Sequence, residues 1–70
     1  MITDSDIENW FTYHSPVSDQ PARYEMIRNK AKELAKVIIN NTPASPDQTA
    51  SIRLLRESVM TANAAIACGE

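Results

Sequence analysis

A single cysteine, a single glycine and a single histidine leave most site chemistries without their parts. Cys68 has no partner for an intrachain disulfide, and Cys68, His14 and the carboxylates show no metal-ligand spacing. With only Gly69, no glycine-rich phosphate loop can be built. No apolar run approaches the roughly 20 residues of a membrane span. The start, Ile2-Thr3-Asp4-Ser5-Asp6, is acidic, so no signal peptide is expected, and an unpaired thiol fits a reducing cytoplasm. Catalysis needs a nucleophile, a base and a group that orients the base. His14 is the only histidine, and Cys68 stands at the other end of the chain, where it reads as inert small packing. No enzyme activity, cofactor or metal is expected.

Seventy residues make one domain, 1–70. A chain this short buries only about 60% of its unfolded surface, and small domains then rely on disulfides, metals or association. With the first two excluded, a homo-oligomer is expected.

The hydrophobic pattern is helical throughout, and no strand pattern competes with it. Thr3 or Asp4 can cap a short helix over about 3–13, with Asp4, Asp6 and Glu8 favouring its positive end. Ile7, Trp10 and Phe11 fall at i, i+3, i+4 and make its apolar face. Ser18 or Asp19 can cap a second helix over about 20–40, with Pro21 in its first turn. Its seam is Tyr24, Ile27, Ala31, Leu34 and Ile38. Asn40-Asn41-Thr42-Pro43 is a stop signal, and Ser45-Pro46-Asp47-Gln48 matches a capping box that starts a third helix over about 46–67. There the seam is Ile52, Leu55, Val59, Ala62 and Ile66. A second stripe, Ala50, Leu54, Thr61, Ala64 or Ala65 and Cys68, carries small residues that let another helix approach. The short connection folds helices two and three back antiparallel. The expected fold is all-α: a short N-terminal helix, then an antiparallel two-helix hairpin whose two-sided apolarity calls for symmetric association.

Three of the four aromatics, Trp10, Phe11 and Tyr13, sit together beside His14 and Pro16. Flat rings beside a proline-stiffened loop suit another flat ring, such as a nucleobase. Trp10 and Phe11 share a face with Ile7 and read as anchors of the first helix. Tyr13 is a stacking candidate or an amphipathic rim residue. His14 is a candidate partner of a base or phosphate, or a loop histidine that caps backbone groups. The net charge of −2 argues against a DNA or RNA polymer. It is uneven, however: residues 21–41 carry Arg23, Arg28, Lys30, Lys32 and Lys36 against Glu25 and Glu33, a local +3. A small anion suits that segment, and a solvated face of Glu–Lys pairs is the plainer alternative. Arg28 flanks the seam, where it can fork to a phosphate or form an intersubunit salt bridge.

The order Asn9-Trp10-Phe11-Thr12-Tyr13-His14-Ser15-Pro16, then Asp19-Gln20-Pro21 with Tyr24, Ile27 and Arg28, resembles the phage anti-CBASS cyclic-oligonucleotide sponge family. Leu54-Leu55-Arg56-Glu57 and Ala62-Asn63-Ala64-Ala65-Ile66-Ala67 continue the likeness along nearly the whole chain. The family shares a helical hairpin with the phage anti-Thoeris sponges. The resemblance implies a homohexamer, a trimer of dimers, in the cytoplasm of an infected bacterium. It implies that immune second messengers are held intact: cyclic dinucleotides such as cyclic GMP-AMP, and among its members cyclic trinucleotides or cyclic ADP-ribose isomers. Tyr13 takes the stacking position, and Arg28 the basic position where other members can have Lys. With His14, Phe11 and Pro16 they form the expected ligand-binding set; Asn63, Arg53 and Arg56 are candidates for a second, three-fold site. A helical protein–protein module that inhibits a host factor is the rival reading.

Overall fold

The computed structural model describes residues 1–69 as three helices, α1 (Asp4–Trp10), α2 (Gln20–Asn41) and α3 (Pro46–Gly69). No strand occurs among the described residues. α2 and α3 form the hairpin, and α1 packs on α3 without touching α2. No helix is long and apolar enough to cross a membrane.

Each helix begins where its caps dictate. Thr3 Oγ1 accepts the Asp6 N–H at 3.1 Å while Asp6 Oδ2 accepts the Thr3 N–H at 2.9 Å, a reciprocal capping box. α2 starts after Asp19, with Pro21 in its first turn; the Asp19 side chain makes no cap bond and instead pairs with Arg23 Nε at 3.4 Å. At α3, Ser45 Oγ accepts the Gln48 N–H at 3.2 Å. Only this half of the expected capping box forms. The Gln48 amide points back to α2, donating to Thr42 O at 3.1 Å, Thr42 Oγ1 at 3.0 Å and Ile39 O at 3.4 Å. The reason is that the last four carbonyls of a helix have no partner within it. Thr42 Oγ1 donates to Ile38 O at 2.7 Å and Asn41 Nδ2 to Val37 O at 2.7 Å, so three side chains close the end of α2.

α1 stops at Trp10, three residues short of the expected end. In a continued helix the Asn9 carbonyl would accept the Tyr13 N–H. The His14 ring takes that acceptor instead, Nε2 to Asn9 O at 2.7 Å. The Phe11 N–H closes the last turn on Ile7 O at 3.0 Å.

The α3 seam faces inward as expected, with Ile52, Leu55, Val59 and Ala62 half-buried and Ile66 buried. In α2, Tyr24, Ile27, Ala31 and Ile38 are half-buried, but Leu34 is turned outward and Ala35 takes its place. An α-helix of 3.6 residues per turn drifts off a strict heptad, and a step of four after Ala31 keeps the stripe facing α3. The expectation that Trp10 and Phe11 are core anchors fails within the chain: they are 51% and 83% exposed. Polar links carry the docking of α1, with Asn9 Nδ2 donating to Cys68 O at 2.8 Å and Cys68 Sγ 3.7 Å from Asn9 O.

The hairpin buries little of itself. Ile66 is its one buried apolar residue among those described. The surface of 5737 Å² exceeds the roughly 4,400 Å² expected of a compact chain of this mass. The radius of gyration is 15.2 Å, against about 11 Å for a compact domain of this length. Met26, Leu34, Val37, Ile39, Leu54 and Met60 all stand exposed on the two long helices.

Candidate functional site: an aromatic loop and a cationic groove

Two features gather the sequence candidates. The first is the segment between α1 and α2, which carries Phe11, Tyr13, His14 and Pro16. Tyr13 is 82% exposed, so its ring is open to a partner from the solvent side. His14 is half-buried and committed to Asn9 O, the backbone-capping alternative. A carbonyl only accepts, so Nε2 carries the proton in this contact.

This loop is tied at both ends. The Val17 N–H donates to Gln20 Oε1 at 3.0 Å, and the Gln20 N–H donates to Val17 O at 2.9 Å. Between them the chain reverses with Ser18 at φ 51° and Asp19 at φ −90°, ψ 5°. The Gln20 side chain is 8% exposed, and its Nε2 donates to Ile66 O at 3.1 Å. Ile66 and Cys68 supply carbonyls from the last turn of α3. Gln20 and Asn9 use these carbonyls to moor the aromatic segment. In the sequence Gln20 and Asn9 enter only among the residues that carry the resemblance, without a role. A glutamine just ahead of a proline at a helix start gives no sign of a contact 46 residues away.

The second feature is a groove of about 380 Å³ on the hairpin, between Arg28, Lys32 and Arg56. Its floor is Ala31, Ala35, Ile52, Leu55, Val59 and Met60. A shallower hollow of about 290 Å³ continues past Arg56 to Arg53, beside Gln48 and Thr49. Among the described residues none of Arg28, Lys32, Arg53 and Arg56 is ion-paired. The expected face of Glu–Lys pairs reduces here to Lys30 with Glu33 at 3.2 Å. Arg28, Lys32 and Arg56 around one groove, with Arg53 beside Arg56 in the next, make this part of a net-negative chain locally cationic.

The candidates do not all meet. Gln20, which holds the loop, precedes Arg28 by eight residues, roughly 12 Å along α2 at 1.5 Å per residue. The groove that holds Arg28 does not include Tyr13. Arg28 and Arg56, assigned to separate sites by the resemblance, border the same groove. Asn63 is half-buried on α3, and its Oδ1 has no hydrogen-bond partner among the described residues. The small-residue stripe of Thr61, Ala64, Ala65 and Cys68 lines a hollow of about 400 Å³ together with Asn9 and Trp10, so α1 is the helix that approaches it. No group of three or more metal-ligating side chains occurs among the described residues.

The model of the Acb2/Tad1 hairpin domain matches residues 3–67. The chain belongs to that family. Its members are the anti-CBASS and anti-Thoeris sponges, which bind cyclic nucleotides. The match spans all of α1 and α2 and nearly all of α3, so the aromatic loop and the groove both lie within it. No curated protein and no solved structure matches the chain. The family is one of binding domains rather than enzymes.

Proposed function

We propose that this member of the Acb2/Tad1 family binds cyclic oligonucleotide immune messengers, cyclic dinucleotides first among them, and holds them uncleaved so that CBASS effectors are not activated. The observation that carries the reading is the groove in which Arg28, Lys32 and Arg56 converge over an apolar floor, with no carboxylate paired to them among the described residues. A cyclic dinucleotide brings two phosphates for such cations and two flat bases for exposed rings such as Tyr13. In this reading the protein works in the cytoplasm of a phage-infected bacterium.

On one chain the loop and the groove are separated, so the pocket is completed by a second copy. Its stacking ring reaches the first copy's basic residues, and two-fold symmetry supplies each contact twice. The exposed Trp10, Phe11, Leu34, Leu54 and Met60 are then covered by neighbouring subunits in a hexamer built as a trimer of dimers. Arg53, Arg56 and Asn63 are the candidates for a trinucleotide site at the three-fold interface.

Calorimetric titration with cyclic dinucleotides, cyclic trinucleotides and cyclic ADP-ribose isomers tests the proposal. Heat denaturation should release the ligand intact. Degraded ligand would make the protein an enzyme. Absence of binding across the panel would leave the exposed aromatics as a surface for a protein partner.

A further inference from the structure

Gln20 is the one buried polar residue among those described, and it lies outside the set of residues proposed to touch ligand. Its amide is used at both ends: Oε1 accepts the Val17 N–H at 3.0 Å and Nε2 donates to Ile66 O at 3.1 Å. One partner is a donor and the other an acceptor, so the amide orientation is fixed by chemistry. A carboxylate would set an oxygen against the Ile66 carbonyl. An apolar side chain would leave the Val17 N–H and the Ile66 carbonyl with one partner fewer.

The consequence concerns Tyr13. Between the end of α1 and the start of α2 run nine residues, 11–19, without regular structure. Exposed segments of that kind ordinarily sample many conformations. This one is held by His14 on Asn9 O, by Asn9 on Cys68 O and by Gln20 on Val17 and Ile66. All three connections run to α1 or to the last turn of α3, and none includes Tyr13 itself. The ring is therefore free of contacts that a ligand would have to break, while the backbone on either side of it is fixed.

We propose that Gln20 is a positioning residue for ligand capture: through its bridge from Val17 to Ile66 it holds the loop in the binding-competent arrangement and thereby presents Tyr13. The inference rests on the reading of Tyr13 as the base-stacking residue. Without the bridge the competent arrangement is one of several, and the apparent affinity falls in proportion to its population. The loss belongs to Tyr13 rather than to the groove.

The test is a double-mutant cycle on the full chain, read by calorimetry with whichever cyclic dinucleotide the wild type binds. Gln20→Met keeps the side-chain length and removes both hydrogen bonds; it should weaken binding by about tenfold, as for a competent fraction near one tenth. In a Tyr13→Leu background the same change should have no further effect, because no ring remains to be presented. In an Arg28→Lys background it should keep its full effect, since the two act independently. Equal losses in all three backgrounds would mean a general structural role and overturn the inference, as would wild-type affinity in Gln20→Met. A wild-type chain that binds no cyclic dinucleotide would instead overturn the reading of Tyr13, and the inference with it.

If Gln20→Met does not fold, hydrogen exchange on the unmodified protein decides. The Val17 amide should exchange at least about tenfold more slowly than the amides of Thr12 and Tyr13, which lack such a bond. Exchange at the rate of those neighbours would overturn the inference.

Discussion

Gln48 closes the hairpin on Thr42. Its Nε2 lies 3.1 Å from the Thr42 carbonyl and 3.0 Å from the Thr42 hydroxyl. The same residue donates its backbone N–H to Ser45 Oγ at 3.2 Å, so one residue takes part both in the start of α3 and in the end of α2. Gln48→Ala keeps the backbone bond to Ser45 and removes the amide. It should lower unfolding free energy by about 0.5–1.5 kcal/mol, the net range for an intramolecular hydrogen bond whose acceptors stay open to water. For a chain of this size that is a fall in melting temperature of roughly 4–8 °C per kcal/mol, measured by calorimetry at fixed protein concentration.

Ser18 stands at φ 51°, a conformation that costs a non-glycine residue about 1 kcal/mol. Glycine adopts it without strain. Ser18→Gly should leave affinity unchanged and raise stability by about 0.5 kcal/mol, because relief of strain is partly offset by the added freedom of the unfolded chain. Thermal melts check the sign, and a fall would show that the Ser18 side chain contributes more than its backbone strain removes.

These two residues show what could be read from the sequence and what could not. The three helices were legible because caps and apolar periods are local signals: Thr3 with Asp6, Pro21 after Asp19, and Ser45 before Pro46 lie within a few residues of the ends they mark. Gln48 was read as half of a local box, yet its amide serves a helix end that only the folded hairpin brings near. Leu34 was assigned inward by a strict heptad that an unsupercoiled helix does not keep. Trp10 and Phe11 read as anchors of α1 by their spacing with Ile7, and spacing reports a shared face without saying what covers it. At the site, charge segregation foretold a basic α2. It did not reveal that Arg56 of α3 joins Arg28 and Lys32, which depends on hairpin register.

Removing a charge from an exposed ion pair should not disturb assembly, whereas adding one to the exposed apolar face should. Leu54 is 64% exposed on α3, and a carboxylate there would be solvated in a lone chain. In the proposed oligomer it would be desolvated opposite apolar neighbours, at a penalty of several kcal/mol. Leu54→Glu should therefore dissociate the oligomer and lower the melting temperature together, while Lys30→Gln, on an exposed ion pair worth at most about 1 kcal/mol, should do neither. Light scattering at several concentrations distinguishes the two. An unchanged mass for Leu54→Glu would place that face outside the subunit contacts.

Tyr13 and Arg28 should fail in different ways. Tyr13→Phe keeps the ring and should bind within about threefold of the wild type, whereas Tyr13→Ala removes a stack worth about 1–3 kcal/mol at each of two symmetric positions, at least a thirtyfold loss. Arg28→Lys keeps the charge and loses the planar fork, so its deficit should fall on phosphate geometry and grow little with salt. Arg28→Ala removes the charge as well, and its binding should become less sensitive to ionic strength than that of the wild type. Titrations of the four variants at low and high salt separate these outcomes. If Tyr13→Ala binds as the wild type does while Arg28→Ala does not, the cationic groove captures the ligand and the aromatic loop serves another purpose.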